Sequence, residues 1–251
     1  MRRRGVALVL VLWIIVLAGA VTSVAAVRAR ESTLLSGTIR ARSTASAAAE
    51  SGIAAAAEEI EARLRMETDS TARRTFLNDT EHALRQPDLA LGEARAQIIV
   101  IDPAARLDVN SATATQLATL FAFFTDANSA SSSGSEIRRA IDGNVPGGAT
   151  RPFRSLEALR SVPGVPAQLL VDAAPYLTID GDGRVNRVTA SRPVLRAAAG
   201  DLVDEPSRLL LVSRGWSSGH PLTHEVQAVF AIAREPTGDR LVLLRWRERD
   251  L

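Results

Sequence analysis

The hydrophobic pattern divides the chain near residue 27. Val6 to Val27 is an uncharged, almost wholly apolar run of 22 residues behind the cluster Arg2-Arg3-Arg4-Gly5, and no acid occurs before Glu31. About 20 apolar residues span a bilayer as a helix. The cationic flank predicts a cytoplasmic N-terminus and an exported remainder after Arg28. The helical period then continues. Ile53, Ala57, Ile60 and Leu64 fall at i, i+4, i+7 and i+11, an apolar face, with Glu58, Glu59, Glu61 and Arg63 on the others. Gly37 and Gly52 weaken this helix by about 1 kcal/mol each relative to Ala. The polar stretch from Arg65 to Leu91, containing Pro87, reads as a short helix and loop.

The β signal begins with Arg95 to Ile101, dense in β-branched residues and stopped by Asp102-Pro103. It returns at the C-terminus. Arg208 to Val212 is one strand, and Val226, Ala228, Phe230 and Ile232 alternate with polar positions in a second. Pro236-Thr237-Gly238-Asp239 makes a turn, and Arg240 to Trp246 a third strand. Together they predict a small, mainly antiparallel sheet.

Between the two β regions lies a helical segment bounded by a near-repeat. Leu107-Asp108-Val109-Asn110-Ser111-Ala112-Thr113 matches Val185-Asn186-Arg187-Val188-Thr189-Ala190-Ser191 at an offset of 78. Each copy predicts an extended segment entering a helix, with Thr113 and Ser191 at the N-caps and Gln116 completing a capping box. Ser129 to Ser135 is Ser-rich and reads as a loop or insertion, and Val145 to Ala149 as a Pro/Gly loop. Phe153 to Leu159, the turn Ser161-Val162-Pro163-Gly164-Val165 and a helix from Pro166 to Pro175 form a helix-hairpin-helix pattern. Such a hairpin contacts a DNA backbone or serves as a compact protein-docking module.

Composition narrows the function classes. Without cysteine there is neither a disulfide nor a thiolate site. Every cation is Arg, which explains a pI of 10.1. Beyond Gly5 the chain carries 27 arginines against 28 acids, net −1. Nucleic-acid binders carry a basic excess, so the expected partners exclude nucleic acid. There is no cysteine nucleophile and no Gly-rich phosphate loop after a strand, and the protein is not expected to be an enzyme: catalytic residues, none. Asp180-Gly181-Asp182-Gly183 has the alternating oxygens of a calcium-loop start, but the twelfth position is Ser191 rather than Glu. Either it is a Gly-rich turn, or Asp180 and Asp182 hold Ca²⁺ with acids from elsewhere. His220 and His224 have ligand-like spacing without an evident third partner. No cofactor is required.

The N-terminal run admits three readings: a cleaved secretory signal ending near Ala18-Gly19-Ala20, a plain anchor, or a processed assembly helix. The Arg4-Gly5 junction before Val6 resembles the leader of type IV pilin-like proteins, in which a dedicated prepilin peptidase cuts after the Gly. Taken with the long helix, the strand near Ile98, the Asp108-x-Asn110-Ser111-Ala112 motif, the hairpin, Pro175-Tyr176-Leu177-Thr178, Thr189-Ala190-Ser191 and Leu244-Arg245-Trp246-Arg247, the chain resembles the minor pseudopilin K family of type II secretion. It departs from the family at Val188, where Asn is usual, and in a shorter helical insert.

The resemblance implies an α+β pilin-like fold: a long N-terminal helix on a small antiparallel sheet, with an inserted all-helical, SAM-like domain. The divisions are a leader at 1–5, a membrane helix at 6–27, a periplasmic extension and loop at 28–90, sheet segments at 93–102 and 203–251, and the insert at 104–200. It implies a single-pass protein of the bacterial inner membrane with a periplasmic head, at the tip of a pseudopilus with other minor pseudopilins, and heads that bind Ca²⁺. Pilins usually keep a Glu at the fifth mature position, where it meets a neighbour's N-terminal amine. Here that position is Leu10, which suits a subunit with none above it and removes a charge costly in the bilayer. The alternative is a membrane-anchored, competence-type DNA receptor, which also joins an anchor to a helix-hairpin-helix.

Overall fold

The computed structural model describes residues 3–67, 69–84, 86–143, 150–219, 221, 223–235 and 238–251. Helix α1 (Arg3–Met66) leads into α2 (Ser70–Asn78), α3 (Thr80–Ala83) and the strands β1 (Gln86–Leu91) and β2 (Ala94–Ile101). Next come β3 (Leu107–Asp108), α4 (Ala114–Phe121) and α5 (Ala127–Asp142). A 3₁₀ turn (Glu157–Ser161) precedes α6 (Ala167–Ala173), β4 (Leu177–Thr178), β5 (Val185–Asn186), α7 (Arg192–Ala197) and β6 (Leu202–Val203). Strands β7 (Arg208–Ser217), β8 (Thr223–Ala233) and β9 (Arg240–Asp250) complete the chain.

A five-stranded antiparallel sheet runs β1-β2-β7-β8-β9. The α1 face predicted from its period is the one that is buried: Ile53, Ile60 and Leu64 pack on Ile98, Val100, Leu209, Leu211, Val226 and Ala228. Each buried Ile, Leu or Val side chain among them contributes about 1.5–3 kcal/mol by leaving water. Further toward the N-terminus the seam turns small, with Ala41, Ala45, Ala48 and Ala49 all buried. They lie against Gly215 of β7, where an added Cβ would overlap the carbonyl of Ala45 and the amide of Ala49.

The connection from β2 to β7 carries the helical module, built on a core of Leu117, Leu120, Phe121, Ile137, Leu159 and Leu177. The near-repeat is structural. β3 and β5 each enter a turn held by an Asx bond, with Asn110 N donating to Asp108 Oδ1 (3.1 Å) and Val188 N donating to Asn186 Oδ1 (3.1 Å). Both turns deliver a helix. Thr113 makes the full capping box with Gln116. Ser191 occupies the N-cap of α7 without a side-chain cap bond.

Three segments differ from expectation. The stretch before Gly92 is not only helix and loop: β1 pairs with β2 through a two-residue turn, Gly92-Glu93, whose flanking Leu91 and Ala94 are register partners. Pro87 is tolerated because β1 is an edge strand with an irregular register between Gln86 and Leu89. Ser129 to Ser135 is not a loop but part of α5. Asp126 caps it by accepting from Asn128 N and Ser129 N, and Ala130, Ser133, Gly134, Ile137 and Ile141 form its buried face. Gly134 lets α5 approach the α4 backbone, since a Cβ there would stand 2.6 Å from Ala114 O. The first arm of the hairpin is a 3₁₀ turn, not an α-helix, because Pro163 follows within a few residues. Val145 to Ala149 lie outside the described residues.

Candidate functional site

Gly5, Val6 and Leu10 all fall in the first turns of α1, but their side chains lie outside the described residues. Among the described residues no helix is long and apolar enough to cross a membrane. Most side chains of the 6–27 run are outside that set, so the apolar run itself remains a property of the sequence.

Asp180 and Asp182 come together with the sheet. β4 pairs in parallel with β3, so that Leu107 partners Leu177 and Asp108 partners Thr178. This sets the 179–184 loop beside Asp108 and against β7 and β9. Asp180, 6% exposed, accepts from Arg245 Nη1 at 3.0 Å through Oδ1 and from Arg247 Nη2 at 2.6 Å through Oδ2. Arg208 donates to the carbonyl of Gly181. Asp182 accepts from Ser207 Oγ at 2.6 Å and from Arg184 Nε at 2.9 Å. Burial pushes the Asp182 carboxyl up, but the Ser207 and Arg184 hydrogen bonds outweigh it and hold it below the usual range. The neighbouring Asp108 is pushed up by burial, against the hydrogen bonds from Asn110 and Ser111.

These residues do not fit a calcium ion. Ca²⁺ takes six to eight oxygen ligands. Here both oxygens of Asp180 are turned to guanidiniums, and Asp182 is turned to Arg184 and Ser207. Among the described residues no group of three or more His, Cys, Asp or Glu side chains is placed to hold a metal. The loop is an ion-pair clasp that fastens the helical module to β7 and β9. The sequence signal was present in the alternate arginines Arg245, Arg247 and Arg249, which alternation along a strand puts on one face. His220 lies outside the described residues, and His224 is buried with Nε2 3.6 Å from Glu248.

A second joint was not legible in the sequence. Asp102, at the end of β2, accepts from Asn186 Nδ2 at 2.8 Å, from Thr189 Oγ1 at 2.6 Å and from Ala104 N at 2.7 Å. Asn186 also donates to Asn78 Oδ1 at 2.7 Å. The second repeat copy is thus tied to the sheet and to α2. In the first copy Asn110 instead binds both backbone groups of Phe153. In the second copy Val188, where the motif would place Asn, is 58% exposed.

The hairpin turn forms as expected, with Gly164 at φ 80°. Its flanks carry Glu157 and Asp172 beside Arg160, a mixed surface rather than a basic one.

A chain in the crystal structure of the GspK-GspI-GspJ complex of the type 2 secretion system from enterotoxigenic Escherichia coli has the same architecture. The TM-score is 0.60 at 12% identity, over 88% of this chain and 99% of that one. The fold is pilin-like. No protein-family model matches the sequence, and no curated protein matches it. At this identity the likeness concerns the fold, which includes the long helix, the antiparallel sheet and the helical module between β2 and β7.

Proposed function

We propose that this protein is a minor pseudopilin at the tip of a type II secretion pseudopilus, where it assembles with other minor pseudopilins to start the fibre and promote protein secretion. The observation that carries this is the insertion of a whole helical module between the second and third strands of a pilin-like sheet. That architecture is shared along nearly the full length of a chain from a solved pseudopilin complex. A leader cut by prepilin peptidase between Gly5 and Val6, with methylation of the new N-terminus, leaves the apolar run attached as a single inner-membrane span. The head is then periplasmic. Leu10 supports a terminal position, because it offers no carboxylate to a subunit above it.

The competence-type DNA receptor has less support. The hairpin flanks are of mixed charge, and the C-terminal half of the sheet has no place in an anchor-plus-hairpin design. The test is the mass of the mature N-terminus together with co-purification of the other pilin-like subunits made in the same cell. A chain starting at Val6 and retained with those subunits is the expected result. A start at Val21 or later, or salt-dependent micromolar DNA binding without co-purification, overturns the reading.

A further inference from the structure

The sheet has two faces, and α1 covers one. Over the other stands the helical module, separated from it by a cleft of about 580 Å³ floored by Ile99, Ile101, Leu210 and Val212. Ile99 and Ile101 are only half-buried there. The module core, the α1–sheet core and the floor group of Leu210, Val212 and Val229 are three separate apolar clusters. The module is therefore held to the outer face by its chain connections and by polar bonds, not by a shared core.

These bonds fall into two groups. The chain crosses between sheet and module twice, through residues 102–106 and 204–207. Both crossings leave from the same end of adjacent strands, where Ile101 of β2 partners Leu210 of β7. The first group of bonds lies at these crossings: Asn186 and Thr189 donate to Asp102, Ser207 donates to Asp182, and Arg208 donates to the Gly181 carbonyl. The second group lies on β9, an edge strand two positions beyond β7 and about 10 Å from it across the sheet. Among the described residues, the hydrogen bonds from β9 to the module come from two side chains. Arg245 donates to Asp180 Oδ1 and to the Ile179 carbonyl, and Arg247 donates to Asp180 Oδ2 and to the Arg154 carbonyl.

A body joined along one side by two neighbouring connectors, and along the other by one cluster of charged bonds, has the construction of a hinged lid with a clasp. We infer that the helical module turns as a unit about its two crossings, and that Asp180 with Arg245 and Arg247 is the clasp that holds it over the apolar floor. Parting the clasp leaves the bonds at the crossings and the module core intact, so opening requires no unfolding. Arg245 and Arg247 are partly exposed, and water can replace Asp180 on them as the clasp parts. Opening uncovers Leu210 and Val212, each 8% exposed with the lid in place. The inference stands on this joint and does not depend on the pseudopilin reading.

The chain has no cysteine, so labels can be placed by substitution. The experiment is pulsed electron paramagnetic resonance on the full chain in detergent, with spin labels at Val171→Cys on α6 and Leu243→Cys on β9, both about half exposed. One main distance is expected. Adding Arg245→Gln and Arg247→Gln together should raise a longer-distance population at least about tenfold, the effect of losing a hydrogen bond to a charged group. In protein without spin labels, Val212→Cys on the floor should react with a thiol reagent at least about tenfold faster when both arginines are replaced. Ala228→Cys, buried under α1, should keep its rate. Arg214→Gln, which removes a partner of Glu225 within the sheet, should leave distances and rates as in the wild type. An unchanged distance distribution in the double arginine variant, an unchanged rate at Val212→Cys, equal opening by Arg214→Gln, or equal acceleration at Ala228→Cys, the mark of unfolding rather than turning, overturns the inference.

Discussion

Gly215 of β7 lies directly under Ala45 of α1, so close that a Cβ on Gly215 would overlap the Ala45 carbonyl oxygen. The contact explains why the helix turns from Ile and Leu to Ala over residues 41–49: the backbone of helix and strand approach until nothing larger fits. Gly215→Ala is expected to cost on the order of 1–3 kcal/mol, the usual penalty of overpacking. Gly37 is the control. A Cβ there meets nothing within 4 Å, so Gly37→Ala should stabilise by about 0.5–1 kcal/mol through helix propensity. Thermal melts of the two variants should shift in opposite directions, and equal shifts would show that the seam is not close-packed.

The two halves of the near-repeat predict unequal mutational costs. Thr113 Oγ1 accepts from Gln116 N at 3.1 Å, and Gln116 Oε1 accepts from Thr113 N at 2.9 Å. Gln116 Nε2 also reaches the carbonyl of Ala198 at 3.1 Å, joining α4 to the end of α7. Thr113→Ala should cost about 1 kcal/mol, the typical value of a lost N-cap. Ser191→Ala should be close to neutral, since Ser191 makes no cap bond. Denaturant melts measure both, and a Ser191→Ala loss as large as that of Thr113→Ala would contradict the geometry.

What could be read in advance follows from which interactions are local. The α1 face, the alternating strand β8 and the Thr113 capping box each need only a period or a fixed offset, and all three are in the structure. The Ser-rich part of α5 was misread because Ser is a weak helix former. What holds it is tertiary, the burial of Ser133 and Gly134 against α4 and of Ile137 and Ile141 in the module core. β1 was missed because Pro87 argues against a central strand and says nothing against an edge. The Asp180 loop shows the limit most clearly. Its spacing matched metal ligands, but its partners Arg245 and Arg247 stand more than 60 positions away, and only the β3–β4 and β8–β9 pairings bring them together.

Glu225 should give the acid limb of the stability curve. It is 1% exposed. Burial pushes its carboxyl up, but hydrogen bonds from Arg214 and Gln227 and the charge of Arg249 outweigh this and hold it below the ordinary 4.5. A carboxyl lowered in the folded state contributes stability above its unfolded pKa, and that contribution is lost as pH falls through the folded value. Asp102 has the opposite sign. Burial, set against bonds from Thr189, Asn186 and Ala104, raises it above 3.8, so its contribution is present below 3.8 and fades as pH rises through the raised value. Glu225→Gln should therefore lower the melting temperature at pH 7 and much less at pH 3, flattening the acid limb. Asp102→Asn should not flatten it. Parallel pH profiles for wild type and Glu225→Gln would remove Glu225 from this role.

The clasp at Asp180 predicts a head whose stability responds to salt and not to calcium. In a metal loop the cation arrives from solution. Here it is covalently part of β9, as Arg245 and Arg247, and each oxygen of Asp180 is already paired. Millimolar CaCl₂ and excess EDTA should give the same melting temperature, and a rise with calcium would reverse the assignment. Breaking the clasp should still be costly, because Asp180 is buried while its partners are only partly exposed. Asp180→Asn should lose on the order of 1–3 kcal/mol, as for a buried group deprived of its partners. Arg247→Gln alone should lose less, since Arg245 remains. In a double-mutant cycle the pair Asp180→Asn with Arg247→Gln should cost less than the sum of the two, by about 0.5–3 kcal/mol for residues in contact. Strict additivity would mean that the two side chains do not interact in solution, and the helical module would then be held to the sheet by its other ties, among them the Asp102–Asn186 joint and the bonds of Ser207 to Asp182 and of Arg208 to the Gly181 carbonyl.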